Sequence, residues 1–149
     1  MEFYVTQHHV WLMQDDVSEV QHNARACLDE IATQLRMAGY GLPPGHPAFA
    51  VGRDSLTIYV FADSTVDTLL YYVSFADSLN PVLVRDLPAT GPRVYADGVE
   101  DLTVESLGGP LLRVTLTARA PRTEKEFLGG DGYRRRELST EVRARNLSL

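Results

Sequence analysis

The sequence predicts an α+β fold, in which one long N-terminal helix packs on an antiparallel β-sheet within a single domain, residues 1–149. Apolar residues recur at intervals of three and four through the first 38 positions. From residue 55 onward they recur at every second position instead, which is the period of a strand. No second helical pattern separates the strands, so parallel crossover connections are disfavoured.

The predicted helix covers residues 1–38 and carries its apolar residues on one side. These residues are Val10, Met13, Val17, Val20, Ala24, Cys27, Ile31, Leu35 and Ala38. No proline or glycine interrupts this stretch, which as a helix would be about 55 Å long. Gly39 can adopt the left-handed conformation that ends a helix, and the Pro- and Gly-rich residues 41–47 predict a loop.

The region 55–149 is predicted to be mostly β. The candidate strands are 55–61, 68–75, 81–86, 99–107, 111–120 and 134–146. The fifth candidate alternates most regularly, with Leu112, Val114 and Leu116 facing inward and charged or hydroxyl side chains between them. The polar segment 121–132, which ends in glycines, predicts a long hairpin loop.

The formal net charge of −6 argues against a dedicated nucleic-acid-binding protein, although the C-terminal region is rich in arginine. Cys27 is the only cysteine, which excludes an intrachain disulfide, and its place on the apolar stripe predicts a small buried side chain. The sequence has no run of about 18 apolar residues that would predict a membrane span, and no signal peptide is predicted.

The sequence offers no specific support for catalysis, a cofactor or a metal. The four histidines lack the spacing of metal ligands. Residues 97–101 are acidic, but they lack the alternating oxygen ligands of a calcium loop, so a turn that leads into a strand is favoured and a looser Ca²⁺ site stays open. Residues 129–132 are glycine-rich, but a strand and not a helix follows them, so a phosphate cradle is disfavoured. We therefore predict that the chain is not an enzyme.

Two groups of residues are candidates for an interface. The first group is Tyr71 and Tyr72, which lie beside Tyr59 and Phe61 and could form an aromatic surface. The second group is Arg134, Arg135 and Arg136. Together they could stack and neutralise nucleic acid. The alternative for the aromatic residues, which we favour, is cross-strand packing.

Several motifs in order resemble a known family. Gln21–Tyr40 contains a Q-x-x-A-R-x-x-L-x-x-I pattern that runs into Leu-Arg-Met-Ala-Gly-Tyr. This resembles the early soluble region of minor type IV prepilins of the PilW kind and, more loosely, of GspJ-like type II secretion pseudopilins. Residues 99–104, 113–119 and 138–146 resemble three later strands of the same family. The resemblance thus covers both ends and the middle of the chain.

This resemblance implies a pilin-like structural subunit that has other pilin or pseudopilin subunits as partners. Such subunits are anchored in the inner membrane by an apolar N-terminal helix and then assemble in the periplasm or at the cell surface. The chain departs from the family because it contains no leader, processing site or apolar half-helix. The simplest hypothesis is a soluble domain in which residues 1–38 are the lower part of the pilin helix. Interfaces are then expected on the exposed helix face and on loops 40–54 and 121–133.

Two other function classes remain open. One is a surface binding module, either an adhesin-like tip or a DNA-uptake pilin that uses the arginines and tyrosines. For this module, DNA binding would depend on salt and on Arg134, Arg135 and Arg136. The other is a small enzyme, which would need a closed pocket with converging polar groups.

Overall fold

The computed structural model describes residues 2–123 and 130–145, with side chains from residue 18 onward except at residue 62. One helix, α1, spans Glu2–Met37, and eight strands follow it. The strands are β1 (Phe49–Gly52), β2 (Ser55–Ala62), β3 (Thr65–Ser74), β4 (Val82–Leu87), β5 (Gly91–Asp97), β6 (Val99–Gly108), β7 (Leu111–Thr123) and β8 (Tyr133–Arg143).

The predicted fold class is wrong. The chain is mostly β and forms two antiparallel sheets beside its single helix, in place of one helix laid on one antiparallel sheet. Alternation in the sequence indicates which residues of a strand share a face, but it does not indicate which strands pair. All predicted strands were therefore assigned to one sheet, whereas the structure divides them between β5 and β6.

The first sheet has five strands in the order β1-β2-β3-β4-β5. Each strand pairs with the next one along the chain, as expected for strands joined by short turns. One face contributes Leu56, Ile58, Leu69, Tyr71 and Leu83 to the core. On the other face, Tyr72 lies opposite Val84, and Val84 lies opposite Val94, whose side chain is 61% exposed.

The second sheet has three strands in the order β6-β7-β8. The predicted alternation of the central strand β7 is confirmed, because Leu112, Val114 and Leu116 are buried while the residues between them are half-buried. The outer face carries charged pairs in register. Arg113 lies between Glu105 on β6 and Glu141 on β8, and it forms ion pairs with both.

The helix packs mainly against β7 and β8 and also contacts β5. Among the described side chains, its buried ones begin at Ala24 and continue through Leu28, Ile31 and Leu35. These residues join the inner faces of both sheets in one hydrophobic cluster. The side chains of Ser18 and Glu19, which precede this stretch, are exposed.

The sequence pattern does not predict two of the strands. β1 lies inside the predicted loop 40–54, and β5 lies between the third and fourth predicted strands. They form the two edges of the first sheet. β5 contains Pro92, and an edge strand tolerates proline because such a strand pairs with a neighbour on one side only. The predicted loop 121–132 is shorter than expected, since β7 extends to Thr123; residues 124–129 of that prediction lie outside the described residues.

Candidate functional site

A pocket of about 330 Å³ lies where the helix, the two sheets and the β3–β4 loop meet. Helix α1 supplies Glu19, Val20 and Asn23. The remaining walls come from the β3–β4 loop, the β5–β6 turn and the end of β7. Their residues are Leu79, Asn80, Pro81, Asp97, Gly98, Arg119, Ala120 and Pro121. The pocket is thus built by segments that are far apart in sequence.

Gly98 forms the junction between the two sheets. Its N–H donates to the Pro81 carbonyl at 3.0 Å, and its carbonyl accepts from the Arg119 N–H at 2.6 Å. Its φ is +72°, and a Cβ placed there would lie 2.7 Å from the Arg119 carbonyl oxygen. A side chain would therefore be strained and would collide with backbone, so glycine is the residue that lets β5 turn directly into β6.

The wall from the β3–β4 loop is held by a side-chain turn centred on Asp77. One Asp77 carboxylate oxygen accepts from the Leu79 N–H at 3.0 Å, and the other accepts from the Asn80 side-chain amide at 2.8 Å. The hydrogen bond from Asn80 lowers the pKa of Asp77, with a smaller contribution from the Leu79 N–H. These bonds fix the loop locally, so the pocket wall does not depend on a ligand for its shape.

Arg119 connects this loop to the three-stranded sheet. Its Nη2 donates to the Leu79 carbonyl at 2.9 Å, and its Nη1 lies 3.7 Å from a carboxylate oxygen of Glu100. The guanidinium carbon lies 4.0 Å from the centre of the Tyr133 ring. Only 11% of the Arg119 side chain is exposed, and Glu100 and the Tyr133 ring already balance its positive charge, so Arg119 is a structural part of the pocket wall.

The other charged residues of the pocket are acidic and exposed. Glu19 and Asp97 form no ion pair within the described part of the chain, and Asn23, also exposed, stands beside them. Val20 is half-buried, and the aliphatic Leu79 at the rim is 68% exposed. The pocket therefore combines carboxylate and amide groups with an apolar surface.

A second polar cluster surrounds Glu30, which lies seven residues after Asn23 and therefore on the same side of the helix, about two turns further along. One Glu30 carboxylate oxygen accepts from Arg85 at 2.6 Å, and the other accepts from the Tyr71 hydroxyl at 3.0 Å. The Arg85 guanidinium also lies 4.6 Å from the centre of the Tyr95 ring. Burial raises the pKa of Tyr71, and the Glu30 carboxylate raises it further. The cluster is internally satisfied and links the helix to the five-stranded sheet.

The predicted arginine cluster lies on β8, where successive side chains alternate between faces. Arg135 forms ion pairs with Glu100 and Asp131. Its hydrogen bonds hold the pKa of Asp131 well below its usual range. Arg134 and Arg136 are exposed on the other face of the strand. The three arginines therefore do not form one continuous basic surface.

The two tyrosines of the candidate aromatic surface do not share a face. Tyr71 and Tyr72 are adjacent on β3, so their side chains lie on opposite faces of the sheet. Tyr71 is fully buried and cannot stack on an external base, whereas Tyr72 is half-buried on the outer face. Tyr59 packs against the His46 ring with centroids 5.0 Å apart, and the loop at Gly41 approaches Phe61.

The cysteine and the acidic turn that the sequence analysis considered have structural roles. Cys27 is buried as predicted, and burial raises the pKa of its thiol to about 12, which disfavours the reactive thiolate. The predicted turn at Gly98 is confirmed, since it joins β5 to β6. Near it, Glu100 is paired with Arg119 and Arg135, and Asp101 lies beside Asp54, whose carboxyl helps to raise the pKa of Asp101. Within residues 2–123 and 130–145, no group of three or more His, Cys, Asp or Glu side chains is arranged to hold a metal.

The pocket was not predicted, because its members come from four separate segments and no motif joins them. The only local signals are the Asp-x-x-Asn sequence at residues 77–80 and the glycine at residue 98. Each indicates a turn, and neither indicates a cavity.

Comparison of the chain with protein-family models, with curated proteins and with solved structures found no match. Across the described residues, the helix lacks the continuous apolar stretch that a bilayer crossing requires.

Proposed function

We propose that this chain is a structural subunit of the minor pilin or pseudopilin kind, which helps to prime or build a type IV pilus or a type II secretion pseudopilus. It acts through contacts with neighbouring subunits and not through catalysis. Before assembly the whole protein is anchored in the inner membrane, and afterwards it lies in the periplasm or at the cell surface. The motifs of residues 21–40 and of the later strands are the basis for this assignment.

The observation that carries the proposal is the distribution of burial along α1. The helix begins at Glu2, but the first buried side chain among those described is Ala24. Among the described side chains, those of residues 18–23, just before Ala24, are exposed or half-buried, and the helical backbone extends about 30 Å ahead of Ala24. The apolar spacing in the sequence continues through that stretch at Val10, Met13 and Val17. An apolar stripe of this length is stabilised when another surface covers it, and in a filament that surface is a neighbouring helix.

The pocket at the sheet junction fits the same picture, because Glu19, Val20 and Asn23 are helix residues at the boundary of the covered segment. A neighbouring subunit that contacts the preceding part of the helix would also reach this boundary.

The test uses two variants that each introduce a new carboxylate, one on the helix and one on β6. In the source organism, Met13→Glu should reduce the amount of the protein in sheared filaments by about tenfold or more, since a buried unpaired charge costs several kcal/mol. The matched control Thr103→Glu introduces the same charge at an exposed position on β6, outside the expected interfaces, and should leave incorporation unchanged. Immunoblots of the filament fraction and of whole cells measure both.

Two results would contradict the proposal. One is a gene deletion that leaves the number of filaments, or secretion through the pseudopilus, at the wild-type level. The other is a Met13→Glu variant whose isolated chain melts as early as a core variant, because residue 13 would then belong to the core of the chain itself.

The alternative of a DNA-binding surface module has weaker support. Arg135 is engaged by Glu100 and Asp131, and the buried Tyr71 is not available for base stacking. Salt-sensitive DNA binding that disappears when Arg134, Arg135 and Arg136 are replaced by glutamine would favour this alternative.

A further inference from the structure

We infer that the pocket at the sheet junction is a binding site for an arginine side chain presented by a protein partner. The inference goes beyond the proposed function and does not require it, since the chain alone carries the site. Three features support it: the size of the pocket, the charge that it leaves unmatched, and the apolar surface beside that charge.

The size of the pocket suits one long side chain. Its volume of about 330 Å³ lies at the lower end of the range for small-molecule sites. An extended side chain can enter such a space while its backbone stays outside. The hydrogen bonds of Asp77 and Arg119 hold the loop wall in place, so binding would require little ordering of the protein.

The unmatched charge is negative. Arg119, the only basic residue among the described lining residues, is already engaged by Glu100, the Leu79 carbonyl and the Tyr133 ring. Glu19 and Asp97 form no ion pair among the residues that the structure describes, and both are exposed. An incoming cation would gain two carboxylates without displacing a resident partner. An anion such as a phosphate would meet the same carboxylates unfavourably.

The apolar surface selects among cations. Val20, Leu79 and Pro81 offer aliphatic contact to a hydrocarbon stem, which a bare metal ion does not have. A guanidinium also presents five N–H donors in a planar fork, which suits carboxylate acceptors together with the amide oxygens of Asn23 and Asn80. An arginine side chain meets both requirements.

The test is a titration followed by NMR of the isolated chain, with N-acetyl-arginine N-methylamide as the probe. This probe mimics a residue within a peptide because its α-groups carry no charge. We expect saturable shifts of the Gly98 amide and of the side-chain amides of Asn23 and Asn80, with a Kd on the order of 1 mM. The citrulline analogue has the same shape without the charge and should bind at least about tenfold more weakly. Free arginine carries a charged α-ammonium and α-carboxylate where a protein has neutral backbone, and it should bind no more tightly than the capped probe.

The matching variants assign the site. Glu19→Gln combined with Asp97→Asn should weaken binding of the arginine probe by about tenfold or more. The control Glu105→Gln, which removes a carboxylate from the outer face of β6, should leave binding unchanged. Non-saturating shifts, equal binding of the citrulline analogue, or unchanged binding by the double variant would each overturn the inference. Tighter binding of free arginine than of the capped probe would overturn the assignment to a protein side chain. A negative result here would leave the filament experiment with Met13→Glu unaffected.

Discussion

The helix is joined to the two sheets by different kinds of contact. Against β7 and β8 it packs through apolar side chains such as Leu28 and Ile31, which meet the buried row of the three-stranded sheet. Against the five-stranded sheet it also uses the hydrogen-bonded cluster of Glu30, Arg85 and Tyr71. Apolar contact is strong and non-directional, while hydrogen bonds depend on angle. We conclude that the first joint supplies most of the stability and that the second fixes the orientation of the helix.

The largest expected effect tests the apolar joint. Leu116 is fully buried in the middle of β7, between Leu102 on β6 and Leu138 on β8. Leu116→Ala should lower the free energy of unfolding by about 4 kcal/mol, because it removes buried methyl groups and leaves a cavity. The control Thr117→Ala changes the next residue, on the opposite face, and should alter stability by less than about 1 kcal/mol. Urea unfolding measures both, and equal losses would contradict the assignment of the inner face.

The second prediction concerns the point where the two sheets meet. Gly98→Ala should destabilise the chain by about 3 kcal/mol, since the new Cβ is strained at positive φ and also collides with the Arg119 carbonyl. Gly91 has a similar φ of +74°, but no atom lies within 4 Å of an added Cβ. Gly91→Ala should therefore cost only about 1 kcal/mol, the strain alone. If both variants melt at the same temperature, the close approach at Gly98 does not limit stability.

The third prediction tests the polar joint. Glu30→Gln keeps the shape of the side chain but removes the charge that pairs with Arg85, whose side chain is about one-third exposed. We expect the free energy of unfolding to fall by about 2 kcal/mol at most, because solvent screens this partly exposed pair, and by less when salt is added. The neighbouring exposed Asp29→Asn is the control and should be near neutral. The two losses of stability should respond differently to salt. The loss in the Leu116 variant should not change with salt concentration, whereas the Glu30 variant should approach wild-type stability as the salt concentration increases.

The two joints also differ in how far the sequence predicts them. The helix stripe and the alternation of β7 are periodic, so the sequence predicts Ile31, Leu35 and the inward row of β7 at the first joint, although the predicted stripe does not include the buried Leu28. The second joint depends on Glu30 meeting Arg85 and Tyr71, which are 55 and 41 residues away in sequence. A single sequence contains no signal for such a pairing. The same reason explains why one sheet was predicted in place of two, and why the pocket around Gly98 was missed.

The smallest expected effect concerns Asp101 on β6, whose carboxyl lies beside that of Asp54 in the β1–β2 turn of the other sheet. Burial, and after it the neighbouring Asp54 carboxyl, raise the pKa of Asp101 to about 6. The folded chain therefore binds a proton more tightly than the unfolded chain does, so stability should rise as the pH falls from about 6 toward the ordinary aspartate value near 4.

Asp101→Asn should remove this dependence, because an amide can hydrogen-bond to Asp54 without a charge. At pH 7.5 we expect the variant to be more stable than wild type by about 1 kcal/mol, a rise in melting temperature of roughly 2–4 °C. The difference should vanish near pH 4, where the wild-type carboxyl is protonated in the folded state. Melting curves across this pH range measure it, with Asp29→Asn as the exposed control. A variant that is less stable than wild type at pH 7.5 would show that the carboxylate of Asp101 is stabilised in the fold, and that this contact between the sheets is an attractive one at neutral pH.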